Sequence, residues 1–170
     1  MRNPGFGAVL ATIALQCGAP AAAQVPTAAE QQHKSLSQPH GRTYLKSELA
    51  IRRNLPFSSG VLVGDTLYIA GTTATDANTA SQPLSAEEEA RRVMNDVKQV
   101  VEQAGMTMDD IVSVQVFCTD LADYDTFNRV YRTYFKGHYP ARAFVGVKQL
   151  LFGARYEVMG IAVRSGKQGK

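Results

Sequence analysis

Alternating apolar and polar positions predict three strands near the start of the folded part of the chain. Residues 43–47 form a candidate edge strand. Residues 60–63 and 66–70 are mostly apolar, and the pair Gly64-Asp65 stands between them. A short polar connection that contains glycine is typical of a tight antiparallel turn, so this pattern predicts a β-hairpin.

A helical repeat of apolar positions follows a polar loop at residues 72–83. Ser85 precedes the repeat and Glu88 stands three places later, which is the spacing of a capping box. Gly105 stands where a left-handed residue is expected to end the helix. The apolar stripe of this predicted helix consists of Ala90, Val93, Met94, Val97, Val101 and Ala104.

A strand and a second helix are predicted in the next segment. Residues 111–117 are rich in β-branched side chains, as a strand favours. Asp123 is a candidate N-cap for the helix, and Gly137 is a candidate end. Strand alternation predicts one face formed by Val112, Val114, Val116 and Cys118. The helix has an apolar stripe at Tyr124, Phe127, Tyr131, Tyr134 and Phe135.

Two further strands are predicted at residues 143–147 and 156–163, with a turn at residues 150–154 between them. The element order is therefore strands, helix, strand, helix and two strands. This order indicates a single α+β domain in which two helices pack on one face of a mixed, mostly antiparallel sheet.

The first residues have the order of a secretory signal peptide. Arg2 precedes an uncharged run at residues 6–15, and small residues end at Ala23. The run is shorter than the ~20 residues that a bilayer-spanning helix needs. We therefore expect a signal peptide over residues 1–23, a flexible tether over 24–41, a folded domain over 42–166 and a disordered tail over 167–170. The mature protein is expected to be soluble and periplasmic or secreted, with no membrane partner.

Composition argues against partners that are recognised mainly by charge. The full chain has a formal net charge of +3, and loss of Arg2 with the signal peptide lowers it to about +2, a weak field for nucleic acid or a membrane surface. Removal of the signal peptide also leaves Cys118 as the sole thiol, so no intramolecular disulfide is expected. We therefore predict no nucleic-acid partner.

Several common catalytic motifs are missing from the sequence. It has no glycine-rich phosphate loop, no His-x-Glu with Cys-x-x-Cys, and no Gly-x-Ser-x-Gly. The three histidines, His33, His40 and His138, fall in the tether or in a turn, where solvated side chains are common. The sequence predicts neither a metal nor another cofactor, and it offers no histidine-based triad.

A set of short motifs occurs in a fixed order over about residues 55–164. They are Leu55-Pro56-Phe57-Ser58-Ser59-Gly60, Leu67-Tyr68-Ile69-Ala70-Gly71, Asn95-Asp96-Val97-Lys98, Gly105 with Asp109-Asp110-Ile111-Val112, the segment 117–121, Asn128 with Tyr131, Pro140-Ala141-Arg142, and Tyr156-Glu157-Val158 with Ile161-Ala162-Val163. In this order and at these separations, the chain resembles the reactive-intermediate deaminase (RidA/YjgF) family.

The resemblance implies a chorismate-mutase-like fold that assembles as a homotrimer with pockets between subunits. It also implies hydrolysis of 2-imino acids, or their enamine tautomers, to 2-oxo acids and ammonia, without a cofactor. Arg142 matches the arginine that holds the substrate carboxylate, and Glu157 matches the acidic residue near the attacking water. Phe57, Gly71 and Asn128 match pocket-lining positions, and Phe144 is expected to line the pocket as well.

The residues taken alone permit simpler roles. Arg142 could pair with an aspartate on the surface, Glu157 could be an outward-facing charge, and Phe57 could belong to the core. Asn128 could be an exposed helical residue. At the level of function, the alternative is a non-catalytic trimer that binds small carboxylates or acts as a holdase.

The sequence also departs from the family pattern around the expected pocket. Phe57 stands where active members usually carry tyrosine, Ala70 replaces a usual serine, and Phe144 occupies a position that is commonly smaller. The segment Leu151-Phe152-Gly153 replaces a turn that usually contains proline. These changes make the expected pocket less polar, so we expect an altered substrate preference or slow turnover.

Overall fold

The computed structural model describes residues 37–38, 41–74 and 84–165. The described part contains three α-helices and seven strands. The helices are α1 (Glu48–Arg52), α2 (Ala86–Gln103) and α3 (Tyr124–Arg132). The strands are β1 (Ser37–Gln38), β2 (Arg42–Leu45), β3 (Gly60–Val63), β4 (Thr66–Thr73), β5 (Ile111–Cys118), β6 (Ala141–Gly146) and β7 (Tyr156–Val163).

The strands form one mixed sheet in the order β1-β2-β3-β4-β7-β5-β6. Strands β5 and β6 are parallel, and every other neighbouring pair is antiparallel. Side chains of α2 and α3 pack with one face of the sheet in a single apolar core. This arrangement confirms the predicted α+β fold with a mostly antiparallel sheet and helices on one face.

The predicted hairpin is present as β3 and β4. Val63 pairs with Thr66, and Gly64 in the turn has a φ of 57°, a conformation that glycine adopts without a steric penalty. Strand β4 continues to Thr73, beyond the predicted end at residue 70. Part of the predicted loop therefore belongs to the strand, and residues 75–83 lie outside the described residues.

Both predicted ends of α2 are confirmed. The Ser85 side chain accepts a hydrogen bond from the Glu88 backbone, and the Glu88 carboxylate accepts one from the Ser85 backbone. At the other end Gly105 has a φ of 67°. The N–H groups of Gly105 and Met106 donate to the carbonyls of Glu102 and Val101, which satisfies two carbonyls of the last turn.

The prediction that Val112 shares a face with Val114, Val116 and Cys118 is wrong, because those three residues are buried and Val112 is exposed. The β5–β7 register shifts between Ile111 and Ser113. This irregularity interrupts the alternation of side chains, so that Ile111 is buried and Val112 is exposed.

The ends of α3 also differ from the prediction. Asp123 makes no side-chain capping hydrogen bond. Its carboxylate instead accepts a hydrogen bond from Arg155 at 3.2 Å, while Asp120 caps the preceding 3₁₀ turn. The helix ends at Arg132 rather than near Gly137, because Thr133 takes the C-cap position. Tyr134 and Phe135 still pack against the core from the segment that follows.

Two described elements were not predicted from the sequence. Helix α1 begins after Ser47, whose side chain accepts a hydrogen bond from the Ala50 N–H. Strand β1 pairs with β2 and falls within the predicted tether. The predicted signal peptide and the predicted tail lie outside the described residues. Within the described residues, no helix is long and apolar enough to cross a membrane.

The face of the sheet opposite the helices carries exposed apolar side chains. We call this surface the open face. Paired residues on adjacent strands point to the same side of the sheet. The residues that alternate with the buried ones along each strand therefore point to the open face. Its large exposed members are Val63, Tyr68, Val145, Met159 and Val163.

The carboxylate of Asp96 on α2 provides a test of burial at this helix. Burial raises the pKa of Asp96 to about 6 from its ordinary 3.8, and nearby Arg92 acts in the opposite direction. The folded protein therefore holds this proton more tightly than the unfolded chain does. Stability from this site is present below pH 4 and is lost as the pH rises through 6.

We expect Asp96→Asn to raise the melting temperature at pH 7.5 by about 3–6 °C, on the order of 1 kcal/mol, and to change it little at pH 4. The exposed residue Asp125 on α3 gives a matched control, because Asp125→Asn should not raise the melting temperature at pH 7.5. Calorimetry at the two pH values measures both. An equal effect of Asp96→Asn at pH 4 and pH 7.5 would contradict the burial of this carboxylate.

Candidate functional site

Arg142 is the second residue of β6, the strand at one edge of the sheet. It pairs with Val114 of β5, which is buried beneath the helices, so the arginine side chain points toward α3. There its Nη2 donates a hydrogen bond to Oδ1 of Asn128 at 2.7 Å. The predicted pair of Arg142 and Asn128 is therefore brought together by the packing of α3 against β6.

Aromatic rings surround the guanidinium of Arg142. Its Cζ lies 4.6 Å from the ring centroid of Tyr131, 5.7 Å from that of Phe144 and 5.9 Å from that of Tyr124. The ring faces are electron-rich, so they attract the cation while leaving its hydrogen-bond donors unused. The geometry holds the guanidinium in place and keeps most of its donors available.

No carboxylate among the described residues forms a salt bridge with Arg142. The side chain is half-buried, and the partners that the structure gives it are an amide and three rings. A partly buried cation without a counterion favours the binding of an anion. A planar guanidinium matches a carboxylate in particular, because two parallel N–H groups can bind its two oxygens.

The hydroxyl of Tyr131 is buried and has no hydrogen-bond partner in the described structure. Burial raises the pKa of Tyr131 to about 12, although the charge of Arg142 acts in the opposite direction. The phenol therefore stays neutral near pH 7, and it cannot serve as a proton acceptor there. Its ring supports Arg142 instead.

Glu157 and Gly71 form a second, separate contact. Glu157 lies on β7 and pairs with Thr73 of β4 and Phe117 of β5. The Glu157 carboxylate crosses directly over Gly71, where any β-carbon would overlap Oε1. Gly71 thus provides the space that this carboxylate occupies, beside the register shift in β4 between Ile69 and Thr72.

Arg142 and Glu157 point to opposite faces of the sheet. Tyr156 and Val158 on β7 are buried beneath the helices, so Glu157 between them points to the open face. Arg142 points to the helical face, as its contacts with α3 show. Within one chain, these two predicted catalytic side chains are not brought together.

Of the two remaining predicted site residues, one lies beside Arg142 and the other lies away from it. Phe144 lies two places after Arg142 on the same face of β6, and its ring contacts the guanidinium. Phe57 lies between α1 and β3 and is 50% exposed. Three strands separate β3 from β6 in the sheet, so Phe57 is not brought to Arg142 of the same chain. Among the described residues, no group of three or more His, Cys, Asp or Glu side chains could hold a metal ion.

Two residues of the Arg142 site were not predicted as site residues. Tyr124 was assigned only to the apolar stripe of the second helix, and Tyr131 to that stripe and to the motif that it shares with Asn128. Both rings nevertheless contact the guanidinium. With Asn128 they occupy positions i, i+4 and i+7 of α3, which lie on one face of a helix. This spacing was visible in the sequence, but the strand that it faces was not.

Comparison with known proteins identifies the family. The family model described as Endoribonuclease L-PSP matches residues 47–164. A RutC family protein of Saccharolobus solfataricus is 39% identical over 111 residues, which are 65% of this chain and 88% of that protein. The 2-iminobutanoate/2-iminopropanoate deaminase of Mus musculus is 34% identical over 110 residues, which are 64% of this chain and 82% of the mouse protein.

A solved structure agrees with these sequence matches. The crystal structure of E. coli TdcF with bound serine aligns with a TM-score of 0.62 at 29% identity, and the alignment covers 76% of this chain and 98% of that chain. The chain belongs to the Endoribonuclease L-PSP family, which is the reactive-intermediate deaminase (RidA/YjgF) family that its motifs resemble.

Proposed function

We propose that this protein hydrolyses 2-imino acids, or their enamine tautomers, to 2-oxo acids and ammonia. The observation that carries the proposal is the half-buried guanidinium of Arg142, which has no carboxylate partner among the described residues. Two comparisons support it. The mouse relative is named as an imine deaminase, and the E. coli neighbour holds serine, a small molecule with a carboxylate.

The proposed chemistry assigns one role to each charged side chain. Arg142 binds the substrate carboxylate through two N–H groups and so fixes the position of the neighbouring C=N carbon. Glu157 orients a water molecule and accepts one of its protons as the water oxygen forms a bond to that carbon. That proton passes to the nitrogen, which gives a tetrahedral intermediate with one hydroxyl and one amino group. The hydroxyl proton is then transferred to the nitrogen as well, the C–N bond breaks, and ammonia leaves as the C=O group forms. No oxidant or reductant is consumed.

The geometry of a single chain requires a second subunit for this chemistry. Arg142 and Glu157 point to opposite faces of their own sheet, so one chain cannot direct both at one substrate. The open face carries exposed apolar side chains that favour burial against another copy. We therefore propose a homotrimer with three equivalent sites, each formed by Arg142 of one subunit and Glu157 of a neighbour.

The family name Endoribonuclease L-PSP suggests cleavage of RNA, but the charge of this chain does not favour RNA binding. RNA binding depends on many contacts between basic side chains and phosphates, and the affinity falls steeply without them. The formal net charge of the whole chain is only +3. A single arginine that faces three aromatic rings suits a small carboxylate better than a polyanion.

The trimer can be tested by changing the open face. Wild-type protein at micromolar concentration is expected to have the mass of a trimer in light scattering. Met159→Asp should shift the mass toward the monomer, because it places a charge on apolar surface that the trimer buries. Ile51 on α1 is similarly exposed, 43% against 37% for Met159, and Ile51→Asp should leave the mass unchanged. A monomeric wild-type protein with full activity would contradict the proposed intersubunit site.

The roles of Arg142 and Glu157 can be tested by conservative variants. Arg142→Lys keeps the charge but loses the bidentate donor pair, so kcat/KM with 2-iminobutanoate should fall at least about tenfold. Arg142→Ala should abolish nearly all activity. Glu157→Gln keeps the shape but removes the proton acceptor, so substrate binding should survive while kcat falls.

A control variant on α3 and two further measurements accompany these variants. Arg129 neighbours Asn128 on α3 and donates a hydrogen bond to the Thr126 hydroxyl, and Arg129→Ala should keep wild-type rates. Mass and melting temperature of each variant separate lost activity from lost folding. Carboxylate binding without any wild-type hydrolysis would instead support a non-catalytic binding trimer, and wild-type rates in all three variants would refute the assigned roles.

A further inference from the structure

A row of side-chain contacts between α3 and the edge strand begins at Arg142 and continues along β6. Arg142, Phe144 and Gly146 point to the helical side of β6, at every second position of the strand. Opposite them lie Asn128, Tyr124 and Leu121, which belong to α3 and to the 3₁₀ turn before it. We call this surface the β6 groove.

The contacts across the β6 groove are matched in order. Asn128 bonds Arg142, and the ring of Tyr124 meets that of Phe144 edge to face at a centroid distance of 5.0 Å. Leu121 packs on Gly146, where an added β-carbon would lie 3.2 Å from the leucine side chain. The groove thus has one polar end, at Arg142, and an apolar strip formed by the other two pairs.

In a single chain, the apolar strip has exposed surface next to the Arg142 site, where the proposed substrate binds. Tyr124 is 44% exposed and Leu121 is 58% exposed. Phe144 is half-buried between Tyr124 and Phe127. Residues two apart on a strand are separated by about 6.6 Å, so the strip begins within the reach of a side chain attached next to a carboxylate that Arg142 holds. A methyl group would cover little of it, whereas a branched or aromatic group would cover more.

We infer that the β6 groove selects 2-imino acids with large apolar side chains, such as those derived from leucine or phenylalanine, over the small 2-iminopropanoate. The inference rests on the proposed function for the identity of the reacting group. Arg142 binds the substrate carboxylate through its opposite charge. The two apolar pairs select the substrate side chain that lies next to that carboxylate. Leu121, Tyr124 and Phe144 are therefore specificity-determining residues for this chain.

The selectivity can be measured with two pairs of probes. The first pair is 4-methyl-2-iminopentanoate and 2-iminopropanoate, generated in the assay by an amino-acid oxidase, and kcat/KM is read from ammonia release against a no-protein control. The second pair is the corresponding stable 2-oxo acids, whose dissociation constants are read by calorimetry. We expect the leucine-derived member of each pair to be favoured at least about tenfold, since each methylene in an apolar site contributes strongly.

A variant and its control separate the groove from the rest of the molecule. Leu121→Gln should lower the preference for the leucine-derived member at least about fivefold in both pairs, because it replaces apolar groove surface with an amide. Ile51→Gln makes the same kind of change on α1, which follows β2 near the opposite edge of the sheet, and should leave the preference unchanged.

The outcomes distinguish this inference from the proposed function. If the 2-oxo acids show the preference but no imine is hydrolysed, the groove is supported and the deaminase proposal fails. If both imines are hydrolysed but the small one is used at least as efficiently, the groove inference is overturned and the deaminase proposal stands. A preference that is equal in wild type and Leu121→Gln, or no binding of either 2-oxo acid, would also overturn the inference.

Discussion

The alternation of side chains along β5, β6 and β7 decides where each candidate residue acts. The register that pairs Val114 with Arg142 and Phe117 with Glu157 places the arginine beneath α3 and the glutamate on the open face. A shift of one residue in either strand would exchange the two faces. The buried side chains of β5 and β7 fix this register, because Val116, Tyr156 and Val158 must all remain in the core. The chemistry of the protein thus depends on the same contacts that hold the sheet to its helices.

The guanidinium of Arg142 has neutral partners, and an anionic ligand would add the opposite charge that they lack. Partial burial of a guanidinium removes some of its hydration, and the neutral partners Asn128 and Tyr131 compensate only part of that loss. A bound carboxylate supplies the missing opposite charge together with two acceptors in the right geometry. The aromatic ring beneath the guanidinium also limits its movement, so less conformational freedom is lost on binding. These features support the proposal that the site binds a carboxylate.

The sequence predicted those parts of the fold that depend on local chemistry. Ser85 with Glu88 and Gly105 define both ends of α2 through contacts within a few residues, and the turn at Gly64 needs only a left-handed glycine. The errors arose where distant strands impose the outcome. Val112 is exposed because β5 shifts its register against β7, and Asp123 does not cap α3 because Arg155 takes its carboxylate. Likewise, the partners of Arg142 could not be assigned before α3 was known to cross β6, and family motifs named Asn128 without naming Tyr124.

The central claim is that each site combines Arg142 of one subunit with Glu157 of another, and mixed trimers test it most directly. Arg142→Ala and Glu157→Gln chains, each of which should have little activity alone, are co-expressed with two affinity tags, and trimers that carry both tags are isolated. In a trimer that carries both tags, about a third of the intersubunit sites receive both intact residues, because a ring of three chains of two kinds has one junction at which an intact Arg142 meets an intact Glu157. The account predicts that 2-iminobutanoate hydrolysis returns to about that fraction of the wild-type rate. Mixed trimers no more active than the two single variants would contradict it.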